Sequence, residues 1–402
     1  MSMVFEPSLA KGTVTAPPSK SMAHRFLILA AMADGRSVIE NVSFSEDILA
    51  TIDCIEAIGA KVNIEGSKVT VDGKHYFRDD APEFKCRESG STLRFFIPIT
   101  FNYASKAKYY GSERLLERPL SVYEKLINEN GGRLYKDGDH ISYEGDVDFN
   151  DVTVPGNISS QFITGLMFYY ALKPGTYRIH ITDGLESRPY ILMTMDAFRK
   201  FGIETDFEDV DTIYVKGGRI YPAKLSVEGD YSNAAFLDAF NLAGGKVDVK
   251  GLSSDSVQGD RIYRKFFNEL FSAEHPVFDI KDCPDLGPVL MAVMAIRKGG
   301  RLTGTERLKI KESDRGVAMA EELNKFGIKA HVSENHIDIE EGKLLRPSTP
   351  VWGHNDHRIA MSLSVLLSIT GGTLEGENAV NKSFPDFFEI IKTLGVKFQN
   401  EQ

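Results

Sequence analysis

The chain has 402 residues, of which 42% are hydrophobic and 26% are charged, and its formal net charge at pH 7 is -10. This length predicts about two domains with substantial cores. An acidic chain lacks the broad basic surface that nucleic acid or an anionic membrane requires, although a few focused cations can still bind a small anion. The composition therefore excludes those two partners and leaves small anionic ligands open.

Three cysteines without metal-like spacing favour a reducing compartment. The first residues lack the basic and apolar segments of a secretion signal, and no run of 18 uncharged apolar residues occurs. We therefore expect a cytoplasmic protein without a membrane span.

A unit of about 70 residues recurs six times along the chain. Each copy starts with a nearly all-apolar helix and continues with a short strand, an amphipathic helix and alternating segments that are typical of paired strands. The apolar helices are predicted to begin at Ser21, Ser91, Ser160, Ser232, Asp285 and Asp356. A helix that is apolar on all sides must be buried, whereas one with a single apolar stripe lies between core and solvent. Each unit should thus contain an inner helix, an outer helix and a strand layer.

The outer helices are predicted near Ala50 to Gly59, Ser121 to Gly131, Tyr190 to Gly202, Asp260 to Phe271, Arg315 to Gly327 and Phe384 to Gly395. Alternating residues predict a strand pair at residues 61–64 and 68–72 and another at 330–332 and 336–339. Six units on a two-domain expectation divide as three and three, with a crossover near residues 227–230. The segment 4–15 precedes the first unit, and the residues alone leave open which half it joins.

The fifth outer helix starts unusually, because four of the five residues from Lys311 to Arg315 are charged. We predict Ser313 as its N-cap. Cations are disfavoured at a helix N-terminus, where the macrodipole is already positive, so an anion is expected nearby. A plain solvated charge run is the alternative. Glu312 within this segment is a candidate proton carrier, although it could simply pair with a neighbouring cation.

Other helix starts repeat this pattern of cations and hydroxyls. Candidates for anion binding are Lys20 and Arg25, the small-residue turn around Gly90 with Arg94, the hydroxyls and amide at 159–161, and Arg358. The alternatives are that Ser19, Asn157 and Asn355 are plain N-caps and that Lys20, Arg94 and Arg358 form surface ion pairs.

Pooled in one crevice, these helix starts would hold a strongly anionic small molecule. We expect the empty protein to rest open and to close when anions neutralise the cations. Asp285 joins Glu312 as a carboxylate suited to proton transfer among cations. His354 and His357 lack a third ligand nearby, so no metal is expected. Nucleotide fingerprints are absent, which argues against nucleotide-driven chemistry.

Several long motifs occur in an order that resembles 3-phosphoshikimate 1-carboxyvinyltransferases, also called 5-enolpyruvylshikimate-3-phosphate (EPSP) synthases. The motifs are Pro18 to Arg25, Ser89 to Arg94, Glu117 to Pro119, Ser159 to Gln161, Pro284 and Asp285, Lys311 to Arg315, Asn355 to Arg358, and Lys382 to Asp386. The resemblance runs from about Lys11 to Phe388, which is nearly the whole chain.

The resemblance implies an α/β (α+β) protein with the two-lobed enolpyruvyl transferase fold. Each lobe would contain three repeated βαβαββ units with buried inner helices, as an inside-out α/β barrel, and the active site would lie in the cleft between lobes. One lobe would comprise residues 1–19 with 229–402 and the other residues 20–228, with a hinge near 19–20 and 228–229.

The resemblance also implies transfer of the enolpyruvyl group of phosphoenolpyruvate to the 5-hydroxyl of shikimate 3-phosphate, with release of phosphate. The reaction would pass through a tetrahedral intermediate by addition and elimination, as a step in chorismate and aromatic amino acid biosynthesis. It implies no metal and no organic cofactor. We expect a monomer whose partners are its two small-molecule substrates.

Site roles carry over position by position from the resemblance. The catalytic residues would be Asp285 as base, Glu312 as acid and Lys20. Shikimate 3-phosphate would be held by Lys20, Ser21, Arg25, Ser159, Ser160, Gln161, Ser187, Tyr190, Asp285 and Lys311. Phosphoenolpyruvate would be held by Lys20, Gly90, Arg118, Gln161, Arg315, Arg358 and Lys382.

Two positions depart from the common family pattern: Glu88 stands where many members carry Asn, and Arg307 where many bacterial members carry Asn. One rival interpretation is the related transferase that acts on UDP-N-acetylglucosamine, which typically has a cysteine in the loop before the arginine of the Glu-Arg-Pro motif. Here that loop, residues 111–118, contains none. A non-catalytic protein that binds phosphorylated metabolites is the second rival, and the joint presence of Lys20, Asp285 and Glu312 argues against it.

Overall fold

The computed structural model describes residues 2–73 and 81–401, apart from the side chain of residue 401. The chain divides into two compact units. The contiguous unit is Pro18–Glu228, and the discontinuous unit combines Met1–Pro17 with Gly229–Gln402. Among the described residues, none of the helices combines the length and the hydropathy needed to cross a bilayer.

The helices follow the predicted alternation of inner and outer elements. Those of the contiguous unit are α1 (Lys20–Met32), α2 (Glu46–Ala57), α3 (Gly90–Thr100), α4 (Glu113–Leu116), α5 (Ser121–Glu129), α6 (Ser160–Leu172) and α7 (Arg188–Lys200). Those of the discontinuous unit are α8 (Tyr231–Leu242), α9 (Tyr263–Glu269), α10 (Gly287–Ile296), α11 (Arg315–Lys325), α12 (His357–Thr370) and α13 (Phe387–Thr393). Short 3-10 turns occupy Gly259–Ile262, Pro284–Leu286, Glu306–Ile310 and Glu377–Lys382.

The strands are short and are distributed along the whole chain. They are β1 (Ser2–Glu6), β2 (Lys11–Thr15), β3 (Arg36–Glu40), β4 (Lys61–Glu65), β5 (Lys68–Asp72), β6 (Glu83–Lys85), β7 (Lys106–Tyr110), β8 (Arg133–Asp137), β9 (His140–Glu144), β10 (Val152–Pro155) and β11 (Gly175–Thr182). The rest are β12 (Glu204–Phe207), β13 (Thr212–Gly217), β14 (Lys224–Ser226), β15 (Lys246–Lys250), β16 (Val277–Asp279), β17 (Gly300–Thr303), β18 (Ala330–Val332), β19 (His336–Ile339), β20 (Val351–Trp352), β21 (Gly372–Glu375) and β22 (Lys397–Glu401).

One sheet pattern recurs in both units. In the order β10-β11-β13-β12, the first two strands are parallel and the remaining pairs are antiparallel. The orders β6-β7-β9-β8 and β16-β17-β19-β18 repeat the pattern, and β14-β3-β5-β4 repeats it with its first strand taken from the end of the contiguous unit. The predicted repeat is therefore confirmed. The sheets of the described residues remain separate, so no continuous hydrogen-bonded barrel forms.

The first two strands join the discontinuous unit. Strand β1 lies between β21 and β22 and is antiparallel to both, while β2 pairs in parallel with β15. Phe5 of β1 lies opposite Phe398 of β22, and their ring centroids are 5.2 Å apart. The segment that the residues alone left unassigned thus pairs with strands from the second half of the chain.

The inner helices are buried, as predicted from their composition. All residues of α10 except Ile296 are buried, and α12 is buried from His357 to Ser368. Helix α10 begins two residues after the predicted Asp285, because residues 284–286 form a 3-10 turn first. A helix without an exposed polar face is stabilised mainly by burial of its apolar surface, so these helices form the cores against which the outer helices pack.

Three predicted helix caps can be compared with the structure. Ser19 caps α1 as predicted, with its hydroxyl accepting from the backbone N of Met22 at 3.4 Å. The alternative that Asn157 and Asn355 are caps is wrong. Ser159 and Asp356 take those positions, because they are the residues in extended conformation immediately before the first helical turn.

The prediction of Ser313 as the cap of α11 is also wrong. Asp314 is the cap, and its carboxylate accepts from the backbone N of Val317 at 3.2 Å. Ser313 instead donates its hydroxyl to Asp356 Oδ2 at 3.2 Å. The Ser313 hydroxyl therefore binds the carboxylate of Asp356 and not the backbone N–H groups at the start of α11.

Candidate active site

Arg315, the first residue of α11, is surrounded by carboxylates of the discontinuous unit. Its Nε donates to Asp356 at 2.8 Å, its Nη1 to Asp285 at 2.8 Å and its Nη2 to Glu312 at 2.6 Å. Burial opposes the charge, but the carboxylates of Asp356, Glu312 and Asp285 outweigh it and raise the pKa of Arg315. The anion expected at this helix start is thus supplied by the protein itself, and the alternative of a solvated charge run is wrong.

The carboxylate of Asp285 contacts three cationic side chains. Its Oδ1 lies 2.8 Å from Arg315 Nη1 and 3.3 Å from Lys311 Nζ, and its Oδ2 accepts from Arg358 Nη2 at 3.0 Å. It belongs to the 3-10 turn that precedes α10, and its side chain is 18% exposed, so it remains accessible. This carboxylate is the point at which three of the cations predicted from sequence meet.

Lys311 is a cation whose charge is easily lost. Burial lowers its pKa to about 8, with Asp285 opposing the shift and Arg307 and Arg315 adding to it. An amine that titrates near neutral pH can bind an anion when protonated and exchange a proton when not.

Arg358 is also buried, so the alternative of a surface ion pair is wrong for it. Its Nη1 donates to Ser232 Oγ at 2.6 Å and to the Asp285 carbonyl at 3.2 Å. Lys382, which ends the last 3-10 turn, donates to the Asn355 carbonyl at 2.6 Å. His354 and Asn355 both have positive φ angles, a conformation that turns this carbonyl toward Lys382 just before α12.

Asp260 is a neighbour that sequence reasoning missed. It is buried in the 3-10 turn before α9. Burial and then repulsion by Asp285 raise its pKa to about 7, whereas Arg358 and a hydrogen bond with Ser232 act in the opposite direction. The sequence gives no signal for it beyond a glycine and an acidic residue ahead of an outer helix.

In the contiguous unit, α1 presents Lys20 and Arg25. Lys20 Nζ lies 2.6 Å from Asp47 Oδ2 on α2. Arg25 is buried and donates to Thr194 Oγ1 at 2.9 Å and to the carbonyls of Ser21 and Tyr190 at 2.7 and 3.0 Å. Burial lowers the pKa of Arg25 to about 10, although Tyr190 opposes the shift. Arg25 thereby ties the start of α1 to the start of α7.

Arg118 lies directly against Gly90, the first residue of α3. A Cβ on Gly90 would stand 2.3 Å from Arg118 Nη1, so only glycine permits this approach. Arg118 Nε is buried and has no hydrogen-bond partner among residues 2–73 and 81–401. The predicted small-residue turn is therefore a turn with a guanidinium placed over it.

Arg94 is a second buried guanidinium, so the alternative of a surface ion pair is wrong for it as well. It donates to Gln161 Oε1 at 2.7 Å and to the Pro119 carbonyl at 3.1 Å. Its guanidinium also lies over the ring of Phe162, 5.1 Å from the centroid. Arg94 therefore links α3 to the start of α6 and to the residue after Arg118.

Hydroxyls occupy the starts of α6 and α7. Ser159 accepts from the backbone N of Gln161 at 3.3 Å, and Ser160 is the first residue of α6. Ser187 is buried with a φ of 55°, immediately before α7, where Tyr190 lies in the first turn. The contiguous unit thus brings together Lys20 with Ser21 and Arg25, Gly90 with Arg118, and Gln161 with Arg94.

Comparison of the fold with solved structures defines the class of the protein. An EPSP synthase from Acinetobacter baumannii superimposes with a TM-score of 0.80 at 21% identity, covering 100% of both chains. The enolpyruvyl transferase NikO from Streptomyces tendae gives 0.79 at 14% identity, covering 99% of this chain and 98% of its own. The fold is that of the enolpyruvyl transferases.

The sequence comparisons narrow this class to one family. Residues 5–391 match the family model of EPSP synthase (3-phosphoshikimate 1-carboxyvinyltransferase). Curated 3-phosphoshikimate 1-carboxyvinyltransferases from Clostridium perfringens and Clostridium beijerinckii are each 36% identical to this chain. The alignments cover 98% of this chain and 98% and 97% of the respective relatives. The chain therefore belongs to the EPSP synthase family, and the resemblance read from the motifs is confirmed.

Proposed function

We propose that this protein transfers the enolpyruvyl group of phosphoenolpyruvate to the 5-hydroxyl of shikimate 3-phosphate and releases phosphate, in the biosynthesis of chorismate and aromatic amino acids. Membership of the EPSP synthase family supports the reaction. The observation that carries it is the meeting of Asp285, Glu312 and Lys311 around Arg315, since carboxylates held among cations are suited to proton transfer.

The residues assigned to shikimate 3-phosphate supply cations, neutral donors and one carboxylate. They are Lys20, Ser21, Arg25, Ser159, Ser160, Gln161, Ser187, Tyr190, Asp285 and Lys311. The ammonium groups would bind the phosphate, and hydroxyl and amide groups are suited to the ring hydroxyls and the remaining phosphate oxygens.

The residues assigned to phosphoenolpyruvate contain more guanidinium groups, which match carboxylate and phosphate oxygens in pairs. They are Lys20, Gly90, Arg118, Gln161, Arg315, Arg358 and Lys382. The backbone N–H groups at Gly90 and the adjacent Arg118 would bind the phosphate. Arg315 and Arg358 would bind the carboxylate, exchanging part of their contact with Asp285 and Glu312 for the substrate.

Proton transfer would proceed in two stages. In the addition, the 5-oxygen forms a bond to C2 of phosphoenolpyruvate while Asp285 takes the hydroxyl proton and Glu312 gives a proton to C3. In the elimination, Glu312 takes a proton back from C3, the bond from C2 to the phosphate oxygen breaks, and the double bond re-forms between C2 and C3. The proton held by Asp285 would leave with the phosphate. Lys20 would neutralise the departing phosphate.

Neighbouring cations would allow Asp285 and Glu312 to accept and donate protons one after the other. Glu312 contacts Arg315, and Asp285 contacts Arg315, Arg358 and Lys311. Exchange of these contacts on substrate binding would change the proton affinity of both carboxylates.

One assay tests this proposal against its rivals. Phosphate release from phosphoenolpyruvate is measured with shikimate 3-phosphate or UDP-N-acetylglucosamine as acceptor. We expect release with shikimate 3-phosphate only. Release with UDP-N-acetylglucosamine alone would support the related transferase, and binding of phosphorylated metabolites without release would support a non-catalytic protein. We further propose that the protein is cytoplasmic and acts as a monomer. Analytical ultracentrifugation tests the oligomeric state.

A further inference from the structure

Five side chains close a ring of hydrogen bonds around the start of α3. His24 Nδ1 lies 2.6 Å from Thr51 Oγ1, which lies 2.9 Å from Thr92 Oγ1. Thr92 donates to Ser89 Oγ at 2.7 Å, and Ser89 Oγ lies 3.2 Å from Ser91 Oγ. Ser91 Oγ closes the ring at 3.4 Å from His24 Nε2. Two of its members, Ser89 and Ser91, flank Gly90.

The ring can satisfy all of its members in one direction. His24, Thr51, Ser89 and Thr92 are each at most 2% exposed, so they depend on protein partners. A hydroxyl has one proton to donate, and a neutral imidazole has one donor and one acceptor nitrogen. The Thr51 hydroxyl lies 2.9 Å from Thr92 Oγ1 and 3.4 Å from the Asp47 carbonyl, so donation to Thr92 is the shorter bond. With Thr51 donating to Thr92 and His24 carrying its proton on Nδ1, each member donates once and accepts once within the ring. Buried networks in which every group is satisfied hold their members in one arrangement.

The ring is also anchored to the candidate site. Lys20 and His24 are one turn apart on α1, and Asp47 and Thr51 are one turn apart on α2. The contacts from Lys20 to Asp47 and from His24 to Thr51, both 2.6 Å long, therefore form two successive links between these helices. The contact of Thr51 with Thr92 extends this link to α3.

We propose that His24 is a positioning residue: by closing this ring it holds the Gly90 turn in the conformation that binds the phosphate of phosphoenolpyruvate. This inference rests on the proposed function. His24 would not touch the substrate, and its effect would pass through Ser89 and Ser91. Hydrogen-bond partners that orient metal ligands change affinity by about 10- to 100-fold when removed, and we expect an effect at the lower end of that range here.

The surroundings of His24 keep it neutral, as the ring requires. The charged groups near it are Lys20 and Arg25 on its own helix and Asp47 on α2, whose carboxylate is paired with Lys20. The turn contributes hydroxyls and is preceded by the half-buried Glu88. Burial, followed by the charges of Lys20 and Arg25, holds the pKa of His24 well below its usual range. A protonated imidazole would carry an N–H on both nitrogens, so Nε2 could no longer accept a hydrogen bond from Ser91.

Substitutions that open the ring without changing its charge test the proposal. Thr51→Val removes one hydroxyl and keeps the volume. We expect this variant to raise KM for phosphoenolpyruvate about tenfold at pH 7.5, with KM for shikimate 3-phosphate changed less than about twofold. His24→Leu should do the same. His24→Asn should restore most of the affinity, because its amide can both donate and accept.

Thr100→Val is the matched control. Thr100 lies at the other end of α3, is equally buried, and accepts a hydrogen bond from Tyr109 at 2.9 Å. This control should lower stability without raising KM for phosphoenolpyruvate. Equal effects of Thr51→Val and Thr100→Val on that KM, or equal effects of Thr51→Val on both substrates, would show that the ring is purely structural.

The two proposals fail in different ways. If the wild-type protein releases no phosphate, the proposed function is wrong. In that case, nitrogen-15 NMR of the histidines in the wild-type protein still reports the protonation state and tautomer of His24, which the ring of hydrogen bonds determines. We expect a neutral His24 with its proton on Nδ1, and a change of this signal in Thr51→Val but not in Thr100→Val. A charged or freely exchanging His24 at pH 7.5 would overturn the ring.

Discussion

The helix starts of the two units carry different chemistry. In the discontinuous unit, cations and carboxylates face each other directly, as Arg315 does with Asp285, Glu312 and Asp356. In the contiguous unit, Lys20 also pairs with Asp47. The guanidinium groups there, however, donate to hydroxyls, an amide and backbone carbonyls, as Arg25 does to Tyr190 and Arg94 does to Gln161. The first arrangement can exchange protons, whereas the second mainly fixes donors in space. The following predictions separate these two roles.

The largest effect is expected from removing a proton carrier in the discontinuous unit. Glu312→Gln keeps the size of the side chain and an oxygen that can accept from Arg315, but it cannot carry the proton. We expect kcat to fall by about 10²- to 10⁴-fold. Calorimetry should show shikimate 3-phosphate binding within about twofold of wild type. The control is Glu321→Gln, an exposed position on α11, which should retain wild-type kcat. Lost binding in Glu312→Gln would make Glu312 a structural residue.

Gly90→Ala tests the fixed geometry of the contiguous unit. The added methyl group would displace Arg118 from its position over the turn. We expect KM for phosphoenolpyruvate to rise about 10- to 100-fold, with shikimate 3-phosphate binding preserved. The matched control is Gly316→Ala at the start of α11, where a Cβ meets its nearest neighbour, Ile337 Cδ1, at 3.1 Å. If both variants had a similar KM for phosphoenolpyruvate, the contact of Arg118 with Gly90 would not be needed for binding of this substrate.

The pH dependence of binding should arise in the discontinuous unit. The pKa of Lys311 in the free protein is about 8 because of burial. Above that pH the free protein carries a neutral amine, so affinity for shikimate 3-phosphate should fall as pH rises from 7 to 9.5. The loss should be about tenfold, as expected for one charge-assisted hydrogen bond. Lys311→Arg should show a flatter calorimetric profile over this range. An equal decline in both proteins would assign the titration elsewhere.

Arg94→Met tests a buried guanidinium of the contiguous unit. The variant would leave Gln161 Oε1 and the Pro119 carbonyl without the donor they now have. We expect the free energy of unfolding in urea to fall by about 2 kcal/mol. Lys216→Met removes an exposed ion pair with Glu204 and should change stability by less than about 1 kcal/mol. Equal losses would mean that the Arg94 bonds add little.

The smallest effect concerns the cap of α11. Asp314→Ala should lower stability by about 1 kcal/mol, because the N–H of Val317 loses its acceptor. Asp314→Ser introduces the type of cap found in the contiguous unit and should recover most of this loss. Ser313→Ala should cost less than Asp314→Ala in the same thermal unfolding experiment. The reverse order would restore Ser313 as the cap.

Repeats and motifs were predictable because they depend on local pattern. The strand pair at 61–64 and 68–72 and the pair at 330–332 and 336–339 both form as predicted. Caps were less predictable, since Ser313 and Asp314 are equally capable chemically and the backbone angles decide between them. Arg94 and Asp260 could not be judged from sequence, because burial depends on residues far along the chain. The ring around His24 joins residues of three separate helices, so no single motif reveals it.

The placement of β1 has a consequence for how the chain acquires its structure. Residues 18–228 form an uninterrupted stretch whose contacts can develop while later residues are still being synthesised. Strand β1, by contrast, fits between β21 and β22, so residues 2–6 must wait for residues 372–401 before they can pair. Contacts so distant along the chain slow folding, because the long intervening loop must close first. The discontinuous unit should therefore be the later of the two to mature, and chaperones should encounter the chain with β1 still unpaired.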